Sequence, residues 1–180
     1  MKKLLLLLMP VVAMSCNNSG TDSKGTPTDS TSKGNSTSSS TPNYPYKIDK
    51  PDNWEIGSSA NTMVALSSLK AWEDGKMDEC AKYFADTVGV YFDGPDMKVT
   101  NDSLKKMFRS SWDQYKTVKV NMHDWESVIA KDKSEEWVTI WYVQNWETKK
   151  GMVDSASVIN DMMIKDGKIK RLFEYTRKMH

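Results

Sequence analysis

Residues Glu135–Lys178 read EEWVTIWYVQNWETKKGMVDSASVINDMMIKDGKIKRLFEYTRK. The stretch reads as three long antiparallel strands joined by two tight turns. The first strand, Trp137 to Thr148, carries Val138, Thr139, Ile140, Trp141, Tyr142, Val143 and Trp146. These are the β-branched and aromatic types that fit a pleated surface. Lys149-Lys150-Gly151 makes the first turn and Lys165-Asp166-Gly167-Lys168 the second. Asp-Gly is a strong hairpin signal, because both central positions of a type I′ turn need positive φ. Alternation along the first strand puts Trp137, Trp141, Val143 and Asn145 on one face, and Val138, Ile140, Tyr142 and Trp146 on the other. Both faces are apolar. One must pack on helices, and the other needs a partner subunit or the segment from Tyr44 to Trp54, since large exposed apolar patches are rare on monomers. A homodimer through the outer face is therefore expected.

Upstream of the strands the periodicity changes to that of helices. Ser58 to Trp72 has Val64, Ala65, Leu66, Leu69 and Trp72 on one stripe, Asn61 or Ser59 as cap, and Gly75 as stop. Lys76 to Ala85 reads as a shorter helix with Met77, Cys80, Ala81 and Phe84 on one side. Val88 to Phe92 is a short strand closed by the turn Asp93-Gly94-Pro95. A third helix, Asn101 to Tyr115, is capped by Thr100 or Asn101 and buries Leu104, Met107, Phe108, Ser111, Trp112 and Tyr115. Val118 to Ala130 is a further strand. Helices clustered ahead of an antiparallel run argue an α+β domain, with about three helices against one face of a curved sheet and a conical cavity between them.

The front of the chain is of another kind. MKKLLLLLMPVVAMSC opens with Lys2 and Lys3, an apolar run from Leu4 to Val12, and Ala13 and Ser15 before Cys16. The run is too short to span a bilayer as a mature helix and reads as a signal peptide. Ala13-Met14-Ser15-Cys16 resembles a bacterial lipobox, with Ala where Leu is usual. That resemblance implies cleavage before Cys16, a diacylglyceryl group on its thiol and acylation of the new amine. Several acyl chains anchor firmly, at roughly 0.8 kcal/mol per buried methylene. Asn17 to Pro42 contains only Ser, Thr, Gly, Asn, Pro, Asp and Lys, which cannot bury apolar surface and should form a flexible tether. Asp29-Ser30-Thr31 resembles an O-glycosylation triplet, against the plainer reading of an unmodified linker. The expected division is a signal peptide over 1–15, a lipidated Cys16 and tether over 16–53, and one domain over 54–180. The domain would be held at the cell membrane or outer membrane, facing the periplasm or the exterior.

The order of landmarks within AWEDGKMDECAKYFADTVGVYF (residues 71–92) resembles the opening of nuclear transport factor 2-like (NTF2-like) domains, including the SnoaL-like group. Those show an aromatic, a Gly turn, a short helix, a Phe/Tyr-Ala-Asp step and a first strand. A third helix feeding a long strand, the hairpin Asp166-Gly167-Lys168-Ile169 and Tyr175 continue the likeness, which covers about Ala60 to Arg177. It implies a cone-shaped α+β barrel with one hydrophobic pocket, and often a dimer. It implies no single function, because isomerases, dehydratases, cyclases, hydrolases and binding modules share the fold.

Catalytic relatives set a test for individual residues. The base aspartate of ketosteroid isomerase-like members falls on Phe92, or on Asp93 if the register slips by one. Asp93 is also an ordinary turn residue. The Tyr-x-Asp step of polyketide cyclase-like members is Tyr175-Thr176-Arg177 here, with Arg in place of the acid, and a His-bearing segment is replaced by Gln144-Asn145-Trp146. The two histidines, His123 and His180, and a lone Cys80 beyond the lipobox offer no metal-ligand cluster, and no phosphate loop calls for a cofactor. The chain carries 25 basic and 24 acidic groups, so loss of Lys2 and Lys3 leaves it near −1, with no electrostatic footprint for nucleic acid. The reading that results is a non-catalytic module for a small hydrophobic or amphipathic ligand, walled by Tyr91, Trp112, Trp141 and Asn145, with Asp93 near the mouth. The alternatives are an isomerase or dehydratase using Asp93 with Tyr91, and a structural or assembly lipoprotein with a filled cone.

Overall fold

The computed structural model describes residues 44–50 and 53–179. The expected signal peptide, Cys16 and the expected tether as far as residue 43 lie outside the described residues. In chain order the elements are β1 (Trp54–Ile56), α1 (Ser59–Glu73), α2 (Met77–Ala81), β2 (Phe84–Tyr91), β3 (Met97–Thr100), α3 (Asn101–Trp112), β4 (Tyr115–Ala130), β5 (Glu136–Thr148), β6 (Val153–Lys165) and β7 (Lys168–Lys178). They form one seven-stranded sheet in the order β1-β4-β5-β6-β7-β2-β3.

The meander expected from the sequence is present as β4–β7, all antiparallel. Its turns sit at Gly151 (φ +81°), and at Asp166 and Gly167 (φ +54° and +67°), the paired positive dihedrals a type I′ turn requires. The sheet closes further through a parallel pairing of β7 with β2. Bulges interrupt β4 between Met122 and Asp124 and the β6–β7 pair between Met163 and Ile164. A bulge bends its strand and raises the local twist, and these bend the sheet around its helices.

α1 crosses β4, β5 and β7, and α3 packs on β2 and β3. Ser58 caps α1, accepting from Asn61 N, rather than Ser59 or Asn61 itself. Thr100 caps α3. The second helix is shorter than its periodicity suggests: it ends at Ala81, and Phe84 and Ala85 already belong to β2. Pairing of Phe84 with Ile169 draws this segment into the sheet. The Asn101 amide takes up the carbonyls of Ala81, Phe84 and Ala85, which a continued helix would have used internally. α3 likewise stops at Trp112, because Tyr115 pairs with Thr148 as the first residue of β4.

The core takes Val138, Ile140 and Tyr142 from β5, with Ala156, Val158 and Met162 from β6, all packed towards the helices. Trp137, Trp141, Val143 and Asn145 therefore lie on the opposite, outer face, each half-buried. The expectation that Trp141 and Asn145 wall the cone is corrected on this point. Aromatic bulk inside the cone comes from the helical side instead, where Phe108 meets Trp72 and Phe84 edge-on at centroid distances of 5.5 and 5.6 Å.

Candidate functional site

Between α1, α3 and the concave sheet lies a cavity of about 400 Å³. From α1 it takes Ser68, Leu69 and Trp72, and from α3 Met107, Phe108 and Ser111. The sheet contributes Phe84, Tyr142, Gln144, Asn160, Met162 and Leu172. Phe92, Asp93, Tyr115, Glu174 and Thr176 also line it, and Cys80 reaches it from α2. Asp93 and Thr176 are exposed, whereas Ser68, Leu69, Tyr142 and Asn160 are buried. The cavity thus has a wet end and a dry end.

Four polar groups stand out in this largely apolar enclosure. Asn160 sits in the inward row Ala156-Val158-Asn160-Met162-Ile164 of β6, where every neighbour is apolar. Its Nδ2 donates to the Tyr142 hydroxyl at 3.2 Å, and its Oδ1 is buried with no hydrogen-bond partner. An unpaired buried acceptor costs free energy that a bound donor would recover. Gln144 Oε1 accepts from Trp72 Nε1 at 3.3 Å, tying β5 to α1.

Glu174 is the fourth. Burial, and then the nearby carboxylate of Asp93, push its carboxyl up to about 7. Burial, and then the carboxylate of Glu174, raise the Tyr142 and Tyr115 phenols, against the hydrogen bonds of Asn160 and Ser111. A carboxyl poised near neutrality beside a phenol and an amide can accept or donate a proton, or hold a ligand's donor group. Burial pushes the Cys80 thiol up to about 12, so it is a protonated packing group and not a nucleophile.

Of the residues expected from the sequence, only Asp93 reaches the cavity, from an exposed bend at its wet end. Tyr91 stacks on Phe173 at 4.1 Å on the outer face. Trp112 lies over Gly75 on the far side of α3. Trp141 and Asn145 face outward on β5. The sequence reading missed Glu174, Asn160 and Tyr142. Asn160 was findable, as the one polar residue in an apolar alternating row. Glu174 was hidden by the bulge: Ile164 pairs with Ile169 but Met163 with Arg171, so Lys170 is an extra residue. Plain alternation from Ile169 would send Phe173 and Tyr175 inward. The inserted residue reverses the phase and aims Leu172 and Glu174 at the cavity. His123 is exposed on β4, and among the described residues no three acids, histidines or cysteines are grouped to hold a metal.

No protein-family model matches the chain, and no curated protein matches it in sequence. Solved structures do. An "LEH-like epoxide hydrolase" from M. tuberculosis superposes with a TM-score of 0.52 at 13% identity, over 66% of this chain and 84% of that one. A hypothetical protein with a ketosteroid isomerase-like fold from Catenulispora acidiphila, solved with trimethylamine, gives 0.52 at 15% identity, over 62% and 83%. An NTF2-like protein from Burkholderia xenovorans gives 0.50 at 11% identity, over 68% and 93%. At such identities the likeness speaks for architecture alone, and on it the chain has the NTF2-like fold: a curved, open seven-stranded sheet forming a cone over its helices.

Proposed function

We propose that the domain binds a small, mainly apolar molecule with one hydrogen-bonding head group inside the cone. The observation that carries this is the pairing of an apolar-walled cavity of about 400 Å³ with an unpartnered Asn160 Oδ1 at its buried end. Pockets of a few hundred Å³ with few, convergent polar groups are the usual form of small-molecule sites. The same cavity speaks against a filled cone with a purely structural role. The neutral fluorophore N-phenyl-1-naphthylamine tests the reading. Its emission should rise on binding to the wild-type protein and fail to rise with Met107→Trp, which puts an indole into the cavity from the half-exposed face of α3. Equal enhancement in both proteins would overturn it.

A second reading has a specific observation behind it. Glu174, pushed up to about 7 beside Tyr142, is suited to general acid–base catalysis near neutral pH. In this reading it replaces Asp93 as base, since Asp93 is exposed and Tyr91 lies on the other face of the sheet. Turnover that falls at least about a hundredfold in Glu174→Gln would mark an enzyme; turnover unchanged in that variant would exclude Glu174 as its base.

The sequence supports delivery of this domain to a membrane surface through lipidated Cys16, at the inner or outer membrane and facing the periplasm or cell exterior. Incorporation of labelled fatty acid should disappear on Cys16→Ala, and its persistence would refute the anchor.

A further inference from the structure

The cavity lining contains two carboxyl groups, Asp93 and Glu174, and no Lys, Arg or His. Elsewhere in the described domain, acids commonly meet a cation: Asp74 with Lys70 and Lys76, Asp78 with Lys105 and Arg109, Glu55 with Lys133. The two cavity carboxyls form no such pair among the described residues. They oppose one another at the edge of an aromatic enclosure made by Trp72, Phe84, Phe92, Phe108, Tyr115 and Tyr142. Aromatic faces attract cations through the ring quadrupole, and they do so more strongly where water is excluded. The buried Asn160 Oδ1 adds a neutral acceptor with no donor of its own. Gln144 presents another amide oxygen, already engaged by Trp72.

From this we infer that the occupant of the cone is a small organic amine, bound as its ammonium ion. Its apolar body lies along the walls formed by Leu69, Phe108, Met162 and Leu172, and its N–H groups donate to Glu174 and Asn160. The inference rests on the ligand-pocket reading and deepens it by fixing the charge of the ligand. Burying one carboxyl beside another with no counter-ion is costly, and an arriving cation relieves that cost while gaining charge-assisted hydrogen bonds. A carboxylate ligand would instead add a third negative group to the same enclosure.

Three matched probes test this on the full chain carrying Cys16→Ala, which keeps the domain intact without the lipid. They are 4-phenylbutylamine, 4-phenylbutan-1-ol and 4-phenylbutyric acid, titrated calorimetrically at about pH 8, where Glu174 is ionised. The amine should bind about tenfold or more tighter than the alcohol, and the acid more weakly than either. Glu174→Gln should remove most of the amine's advantage while leaving the alcohol's affinity within about threefold. Alcohol or acid binding as tightly as the amine would overturn the amine assignment and leave the pocket standing. An amine preference that survives Glu174→Gln would also overturn it. Absence of binding by all three, together with no fluorescence from N-phenyl-1-naphthylamine, would overturn the pocket reading and the amine assignment with it.

Discussion

Glu174 makes a claim about stability as well as function. Its folded-state pKa lies above the unfolded value of about 4.3, so between there and about 7 the native state binds more protons than the unfolded chain. Stability then falls as pH rises through this window, by an amount on the order of 3 to 4 kcal/mol if fully expressed. Glu174→Gln removes the ionisable group. Urea denaturation should find the variant more stable than wild type at about pH 8 and close to it at about pH 4.5. A uniform destabilisation at both would mean that the carboxylate is favourably solvated. A stabilising substitution at a cavity residue is the mark of a site that gives up stability for function. Glu136 behaves in the opposite way. Buried on β5, it accepts from Ser58 N at 2.5 Å, Asn61 Nδ2 at 2.7 Å and Ser127 Oγ at 3.2 Å, fixing the start of α1 to the sheet. Glu136→Ala strands those donors and should cost about 2 to 3 kcal/mol in the same assay; a loss below about 0.5 kcal/mol would show that water replaces the carboxylate.

At the scale of elements, the long pieces of the fold were legible and their phases were not. The meander, its two turns and the amphipathic α1 and α3 follow from period, turn chemistry and caps, all local properties of the chain. β1 and β3 are three- and four-residue strands, too short for their alternation to mark them, and pairing with β4 and β2 creates them. The end of α2 was misread because helical spacing in Lys76 to Ala85 competes with a parallel pairing to β7, a partner more than eighty residues away in the chain. Half of the candidate site was hidden for the same kind of reason. Nothing local marks Lys170 as the extra residue of a bulge, yet that residue turns Glu174 inward. Trp141 looked like a pocket wall because it is aromatic, but the interior was already supplied with rings from Trp72 and Phe108. Gly75 shows where a turn residue is dictated by its surroundings. Its φ is +73°, and a Cβ there would come within 2.8 Å of the Trp112 ring. Gly75→Ala should cost about 1 to 2 kcal/mol, read as a lower melting temperature, with an unchanged melting temperature as the contrary result.

At the scale of the molecule, no element among the described residues covers the outer face of the sheet. Tyr91, Phe173 and Trp137 pack there in a row, with successive centroids 4.1 and 5.9 Å apart, and Trp141 and Ile159 continue it. Tyr46 and Ile48, which could have folded over the sheet, are 84% and 65% exposed. We propose that a second copy covers this face. Residues 44–180 should sediment as a dimer at micromolar concentration and as a monomer with Trp141→Lys; a wild-type monomer would refute the proposal. On that proposal the outer face would serve assembly and leave the cone for the ligand. The most direct test of that cone is native mass spectrometry of the protein purified from its own host. A co-purifying small molecule, present in the wild type and missing from Met107→Trp, is the result expected. An empty wild type, or the same molecule retained by Met107→Trp, would contradict it.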